Sequence, residues 1–149
     1  MIWESKATLI AMMTREHERG KVKCHRYWPD TASHISFLRI SSLFQTGEAR
    51  DIKHLHFVTW SDHGTPQSSE QLVRFILYMR HVHRLGPVVV HCSAGIGRAG
   101  VLICTDVLLS LIDKNLSVSE SQVVLGVLFS QNIFFPPTRT QCSTVQWED

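Results

Sequence analysis

No apolar run in this chain approaches the roughly 20 residues that a membrane-spanning helix requires, so no such helix is expected. The opening Met1-Ile-Trp-Glu-Ser-Lys6 has no basic stretch followed by an apolar core, and a secretory leader is not expected there. Only four cysteines occur, Cys24, Cys92, Cys104 and Cys142, with no C-x-x-C pair among them. Scattered thiols without a leader read as reduced cytoplasmic cysteines and argue against a disulfide framework. Charge of one sign is also scarce: 15 Lys and Arg against 13 Asp and Glu leave a formal net charge of +2. That excess is too small to hold a polyanion, and no basic run is interleaved with aromatics, so nucleic acid is not expected as a partner. Nine histidines are present, but none stands in H-E-x-x-H or other ligand spacing. They read as solvated loop and helix-face residues, and no metal is expected.

What is present is 149 residues, the length of one domain, with an ordinary 44% hydrophobic content. No repeat, low-complexity tract or linker divides residues 1–149, which read as a single unit. Thr8-Leu-Ile-Ala-Met-Met13 predicts a buried strand. Glu16 to Gly20 reads as a polar turn, and Lys21 to Trp28 as an extended piece stopped by Pro29. Residues 29–50 show little periodicity. Ile52 to Trp60 alternates loosely as a strand and leads into the loop Ser61-Asp-His-Gly-Thr-Pro66. Ser68-x-x-Gln71 matches a capping box, after which Leu72, Phe75, Ile76 and Met79 fall at helical spacing. Val88-Val-Val90 predicts a fully buried strand, and a Gly-rich turn then opens a helix from Arg98 to about Ile112. A second box, Ser117-x-x-Glu120, predicts a helix toward Leu128, and no element is assigned after Phe134. Alternating strands and helices predict an α/β sheet protein.

The segment that carries chemistry is Val88-Val-Val-His-Cys-Ser-Ala-Gly-Ile-Gly-Arg-Ala-Gly100. A strand delivers Cys92 to a tight turn that feeds the N-terminus of a helix. Gly95 and Gly97, with small Ser93 and Ala94, let successive N–H groups turn inward as an anion nest. Arg98, six positions after Cys92, can fold its planar fork over the same point and hold a phosphate bidentately. Amides, helix dipole and guanidinium together favour a nucleophilic thiolate aimed at phosphorus. The same donors would stabilise charge on the oxygens of a transferring phosphoryl group. A structural cysteine in a Gly-rich turn is the plain alternative, and the full H-C-x-x-G-x-G-R context weighs against it. No Gly-Lys-Ser/Thr closes the loop, so this is not a Walker A site. A leaving oxygen needs a proton, and Asp62 is the candidate general acid. An aspartate in a turn is by itself more often a turn-former.

These residues resemble a known family. His91-Cys-Ser-Ala-Gly-Ile-Gly-Arg98 resembles the signature loop of phosphotyrosine-specific non-receptor protein tyrosine phosphatases, and Trp60-Ser-Asp-His-Gly-Thr-Pro66 resembles their mobile acid loop. Lys23-Cys-His-Arg-Tyr-Trp-Pro29 is similar to a further family segment, and with Ile10-Ala-Met-Met-Thr-Arg-Glu16 the run looks closest to the type 20 branch. The likeness spans most of residues 1–30 and 44–115. It implies a protein tyrosine phosphatase-like α/β fold, a central mixed sheet flanked by helices on both faces and abbreviated at both ends. Residues 1–149 would then be one partial catalytic domain. It implies a cytoplasmic enzyme that hydrolyses phosphotyrosine in partner proteins through a cysteinyl-phosphate, with no cofactor. In that likeness Cys92 is the nucleophile, Arg98 the phosphate clamp and Asp62 the general acid. Ser93, Ala94, Gly95, Ile96 and Gly97 bind the substrate with Arg98 and Asp62. Glu18 matches the glutamate that holds the signature arginine, and Lys23 a supporting lysine. His91 and Gln141 are further supporting positions, Gln141 in the loop that places the hydrolytic water.

Several departures carry chemical weight. Ser61 stands where the acid loop usually has proline, and losing its fixed φ makes open and closed states harder to hold apart. Ala99 stands where a Ser or Thr hydroxyl usually donates to the departing thiolate. A hydrogen bond to a charged group contributes about 1.5–3 kcal/mol, so its absence corresponds to a loss of roughly 10- to 100-fold. Pro137 and Cys142 replace a glutamine and an aromatic around Gln141, and residues 30–45 are shorter than the family's sheet-forming stretch. Two alternatives therefore stay open. One is a module that captures phosphotyrosine but turns over poorly. The other is a truncated product with unpaired sheet edges and no stable core. A rhodanese or arsenate-reductase relative would share a Cys–Arg loop but leaves Trp60-Ser-Asp-His-Gly64 unexplained.

Overall fold

The computed structural model describes residues 2–29, 35–41, 49–60, 64–66, 68–114 and 143–145. Its elements in chain order are α1 (Ile2–Ser5), β1 (Leu9–Met12), β2 (His17–Glu18), β3 (Lys21–Val22), β4 (Ile35–Ser41), β5 (Ala49–His56), α2 (Ser69–Val82), β6 (Val88–His91), α3 (Arg98–Asp113) and β7 (Ser143–Val145). Five strands form one sheet in the order β4-β5-β1-β6-β7, and β2 and β3 pair separately. β1 runs parallel to β5 and β6, while β4 and β7 close the two sides antiparallel. The sheet is therefore mixed, as expected, with its parallel strands at the centre.

The central strands are continuous apolar runs because both of their faces are covered. All four residues of β1 and all four of β6 are buried. Side chains alternate between two cores, as the strand period of two requires. Leu9, Ala11, Leu55, Val88 and Val90 join one cluster with Leu72, Ile76 and Met79 of α2 and Ala99, Leu102 and Ile103 of α3. Ile10, Ile52 and Val89 point the other way, into a smaller cluster against Ile2 and Trp28. Both long helices thus share one face, and the opposite face is covered by the one-turn α1 and the Trp28 segment. On the helical side, Arg80 of α2 clasps α3, donating to Asp106 at 2.6 Å and to Asp113 at 3.2 Å. Burial raises the pKa of Asp106, against the opposing pull of Arg80.

Several elements differ from the sequence reading. The polar turn at Glu16–Gly20 is the tip of a hairpin, β2-β3, where Arg19 and Gly20 both have positive φ, 51° and 72°. That pair of left-handed residues is what a two-residue primed turn demands. β5 begins three residues before the expected Ile52 and ends at His56 rather than Trp60. β4 lies in the stretch that showed no periodicity, and β7 in the tail where no element is assigned. Ser68 does cap α2 in extended geometry, φ −144° and ψ 124°, but makes no side-chain capping bond. The helix predicted from Ser117 lies outside the described residues.

The two-core arrangement predicts sharply different costs on α2. Ile76 is wholly buried against the sheet, so Ile76→Ala is expected to destabilise the fold by about 2–5 kcal/mol. Leu77, next to it, is 51% exposed, and Leu77→Ala is expected to change stability by less than about 0.5 kcal/mol. Denaturant unfolding of the two variants checks this; similar midpoints would contradict the packing described.

Candidate active site

β6 ends at His91, and the pleat divides its last side chain from the next. His91 belongs to the face of Met12, its registered partner on β1, whereas Cys92 joins the helical core. After Cys92 the chain turns sharply through Gly95, whose φ of 78° favours glycine. This turn brings the Gly95 amide to 3.2 Å from the Cys92 sulfur, which accepts its hydrogen. Gly97 then opens α3 as its N-cap, with no side chain capping the helix. Ser93, Ala94, Ile96 and Gly97 form an exposed rim, while Cys92 and Arg98 sit beneath it, each 7% exposed.

Arg98 is held by three segments. Its Nη1 donates to Glu18 Oε1 at 2.6 Å and to the Trp60 carbonyl at 3.0 Å. Its Nη2 donates to Thr14 Oγ1 at 2.9 Å and to Glu18 Oε2 at 3.3 Å. Both partners of the ion pair are buried. Glu18 also accepts from the Arg15 amide at 3.2 Å and from the Thr14 hydroxyl at 3.2 Å. Burial alone would raise the Glu18 pKa, but the bonds from Arg98 and the Arg15 amide outweigh it, and the net shift is downward. The Trp60 carbonyl places Arg98 at the root of the segment that carries Asp62, and the Trp60 indole N–H closes onto the Gly64 carbonyl at 2.8 Å.

On the far side of the signature turn, His91 Nδ1 lies 3.2 Å from the Cys92 carbonyl and Nε2 contacts the Tyr27 hydroxyl. The same hydroxyl reaches His54 Nε2 at 3.0 Å, and the Trp28 ring stacks on His54 with centroids 4.8 Å apart. Burial, then the neighbouring His56 and His91, push the His54 pKa down to about 3. Burial likewise lowers His91, against the Cys92 carbonyl contact.

The structure therefore brings Cys92, Arg98 and Glu18 to one place and sets His91 directly behind it. Lys23 is half-buried just beyond β3, its backbone N–H bonded to the Glu16 carbonyl at 2.7 Å. Asp62, Ser61 and Gln141 lie outside the described residues. In the sequence Thr14 and Tyr27 stand only as members of longer motifs, and His54 reads as one of the solvated histidines. His54 is instead fully buried, a correction that follows from its parity with Ile10, its partner across β1. The strand's alternation carries that signal, since His54 stands two residues after buried Ile52 and so shares its face.

The family pattern described as Protein-tyrosine phosphatase matches residues 1–42 and 33–128 of the chain. Tyrosine-protein phosphatase non-receptor type 13 of Homo sapiens is 46% identical over 83% of the chain and 6% of its own length. Tyrosine-protein phosphatase non-receptor type 20 of Homo sapiens is 40% identical over 83% of the chain and 34% of its own length. The non-receptor type 4 protein of Homo sapiens is 36% identical, again over 83% of the chain and 16% of its own length. The chain thus spans about a third or less of the relatives it matches.

The Glu18–Arg98 pair predicts a pH signature. Ionised Glu18 is favoured by folding, so its contribution is present above its unfolded value near 4.5 and lost as pH falls through the lower folded value. Glu18→Gln is expected to destabilise the protein near neutral pH by on the order of 3 kcal/mol, since it strands a buried guanidinium. The gap to the parent should narrow steadily below pH 4.5. A gap that stays constant from neutral pH into the acid range would show that the carboxylate's charge is not what holds Arg98.

Proposed function

The chain belongs to the protein-tyrosine phosphatase family, and from that premise we propose that it hydrolyses phosphotyrosine in cytoplasmic proteins. The observation that carries the reading is the bond from the Gly95 amide to the Cys92 sulfur, in a turn whose Arg98 is pre-oriented by Glu18. An amide that donates to sulfur stabilises an anion there, and a thiolate is the form that attacks phosphorus.

In the first step Cys92 Sγ attacks phosphorus, an S–P bond forms and the P–O bond to the tyrosine ring breaks. The electron pair leaves on the phenolic oxygen, which takes a proton from Asp62. The turn's amides and the Arg98 fork hold the three equatorial oxygens, where charge is spread in the transition state. In the second step water attacks phosphorus, its proton passes to the Asp62 carboxylate, and the S–P electron pair returns to Cys92. The reaction needs positioned donors and one acid, and no cofactor enters this reading. Asp62 takes its role from its loop, whose root at Trp60 is bonded to Arg98.

A second reading has its own observation. Position 99, in the first turn of α3, is a fully buried alanine, whose methyl offers no hydrogen bond to a departing thiolate. The capture step uses no group at position 99. On this reading the chain binds and takes up phosphate readily and releases it slowly.

Asp62→Ala tests the first reading. It is expected to slow hydrolysis of a phosphotyrosine peptide by about 10²- to 10⁴-fold, because a phenol with pKa about 10 leaves poorly without a proton. An activated aryl phosphate should be slowed far less. Equal losses on both substrates would point to a structural role for Asp62.

Ala99→Ser tests the second. Serine adds a single oxygen at a packed site, and is expected to raise steady-state turnover about 10-fold or more while the rapid-quench burst rate stays unchanged. A burst rate that rises in step with turnover would refute the assignment of position 99 to release.

A further inference from the structure

Behind the signature turn lies a buried polar chain that the proposed chemistry does not use, formed by His54, Tyr27 and His91. Its hydrogens can be assigned from what each partner is able to do. The Cys92 carbonyl only accepts, so His91 Nδ1, 3.2 Å away, carries a proton. Burial keeps His91 neutral, which leaves Nε2 as a lone pair, and the Tyr27 hydroxyl must donate to it. With its single proton committed, the Tyr27 oxygen accepts from His54 Nε2, 3.0 Å away. His54 is then the Nε2–H tautomer and its Nδ1 is a bare lone pair. That nitrogen is the one buried side-chain polar atom left without a partner among the described residues. The assignment thus strands an acceptor rather than an N–H, the more tolerable of the two.

The direction of the chain follows, from His54 through Tyr27 to His91 and on to the backbone of the nucleophile. We infer that His54 is a positioning residue of the active site: by donating to the Tyr27 hydroxyl it holds His91 in the tautomer that anchors the Cys92 carbonyl. Its importance to catalysis rests on the phosphatase reading, whereas the direction of the chain does not. Other groups around His54 fit this role. The Trp28 ring stacks on it at an interplanar angle of 17° and fixes its plane. His56, with its centroid 6.0 Å from that of His54, is engaged elsewhere, its Nε2 2.7 Å from the Thr14 carbonyl. No three His, Cys, Asp or Glu side chains among the described residues are grouped to hold a metal.

Two substitutions separate donor from bulk. His54→Gln keeps an N–H at the end of a side chain of similar reach. His54→Glu supplies a carboxylate that only accepts, so Tyr27 must turn its proton away from His91. The Tyr27 oxygen is then left to accept from His91, which burial keeps neutral, so the ring must move its proton to Nε2 and lose the Nδ1–H that meets the Cys92 carbonyl. The experiment is NMR of the ring nitrogens in the full chain labelled with 15N-histidine, near neutral pH. Expected are a neutral Nδ1–H ring for His91 and a neutral Nε2–H ring for His54 in the parent. The His91 ring should be unchanged in His54→Gln and switched to the neutral Nε2–H tautomer in His54→Glu. Turnover of a phosphotyrosine peptide should stay within about 2-fold in His54→Gln, and kcat should fall about 10-fold in His54→Glu with KM nearly constant. The opposite tautomer at either histidine of the parent overturns the proposal, and this needs no variant to fold. A His54→Glu protein whose His91 keeps the neutral Nδ1–H tautomer, or whose kcat is undiminished, overturns it too. A parent that hydrolyses no phosphotyrosine peptide but shows the expected tautomers would sink the phosphatase reading and leave the chain's direction standing.

Discussion

The buried ion pair between Arg98 and Glu18 is the interaction on which the site depends. A guanidinium taken out of water is expensive, and a single carboxylate does not by itself recover that cost. Here the fork is also matched by the Thr14 hydroxyl and the Trp60 carbonyl, so its donors meet geometry that suits them. The consequence is positional more than energetic. Thr14 follows β1, Glu18 ends β2, Trp60 follows β5 and Arg98 opens α3. One side chain therefore fixes the relative placement of four segments far apart in sequence. The small β2-β3 hairpin, too short to be stable alone, gains its place from the carboxylate that it presents.

Around that pair the sheet separates two kinds of chemistry by a one-residue alternation. Val90 and Cys92 face the helices, and Val89 and His91 face Trp28 and Tyr27. A slip of β6 by one residue would bury the thiol under Tyr27 and send the imidazole into the helical core. Apolar packing on both faces makes such a slip costly, since it would exchange every valine of the strand between cores of different shape. The hydrophobic run that marks β6 in the sequence is thus also what aims the Cys92 thiol. The same parity buries His54, which shares its face with Ile10 and so lies beneath the Trp28 ring.

Elements whose information is local were legible in the sequence. β1, β6, α2 and α3 each carry an unbroken run or a clear helical period, and the turn at Cys92 carries glycine at the positions that need it. β4 was not legible, because Ile35-Ser-Phe-Leu-Arg-Ile-Ser41 breaks its own alternation and its pairing partner is what makes it a strand. β7 is three residues at an edge, too short for any periodicity to register. In the site, Cys92 and Arg98 were visible because they are six residues apart in one loop. Thr14, Tyr27 and His54 act on that loop across 84, 64 and 27 residues of sequence respectively, through Arg98, His91 and each other. Nothing local distinguishes Thr14 or Tyr27 from an ordinary threonine or tyrosine, and only the parity of His54 with buried Ile52 on β5 marks it out. Glu18 was matched only through the family resemblance, for the same reason.

Ala99 shows how packing and chemistry can be separated within one turn of helix. Its methyl belongs to the helical core beside Leu102 and Ile103, and no exposed surface asks for a polar group there. A hydroxyl at this position would add nothing to the anion nest, whose donors are backbone amides and the Arg98 fork. It would act on the sulfur only when the S–P bond breaks and negative charge returns to it. On the proposed reading, substrate capture and phosphoryl uptake draw on groups that this chain retains, and release draws on one that it lacks. On the proposed reading, the same scaffold that makes Cys92 a nucleophile leaves its phosphorylated form longer-lived. A long-lived cysteinyl-phosphate at a shared cradle also excludes the next phosphotyrosine until water arrives. On that reading, the balance between enzyme and trap turns on small side chains such as the buried Ala99 methyl more than on the architecture of the site.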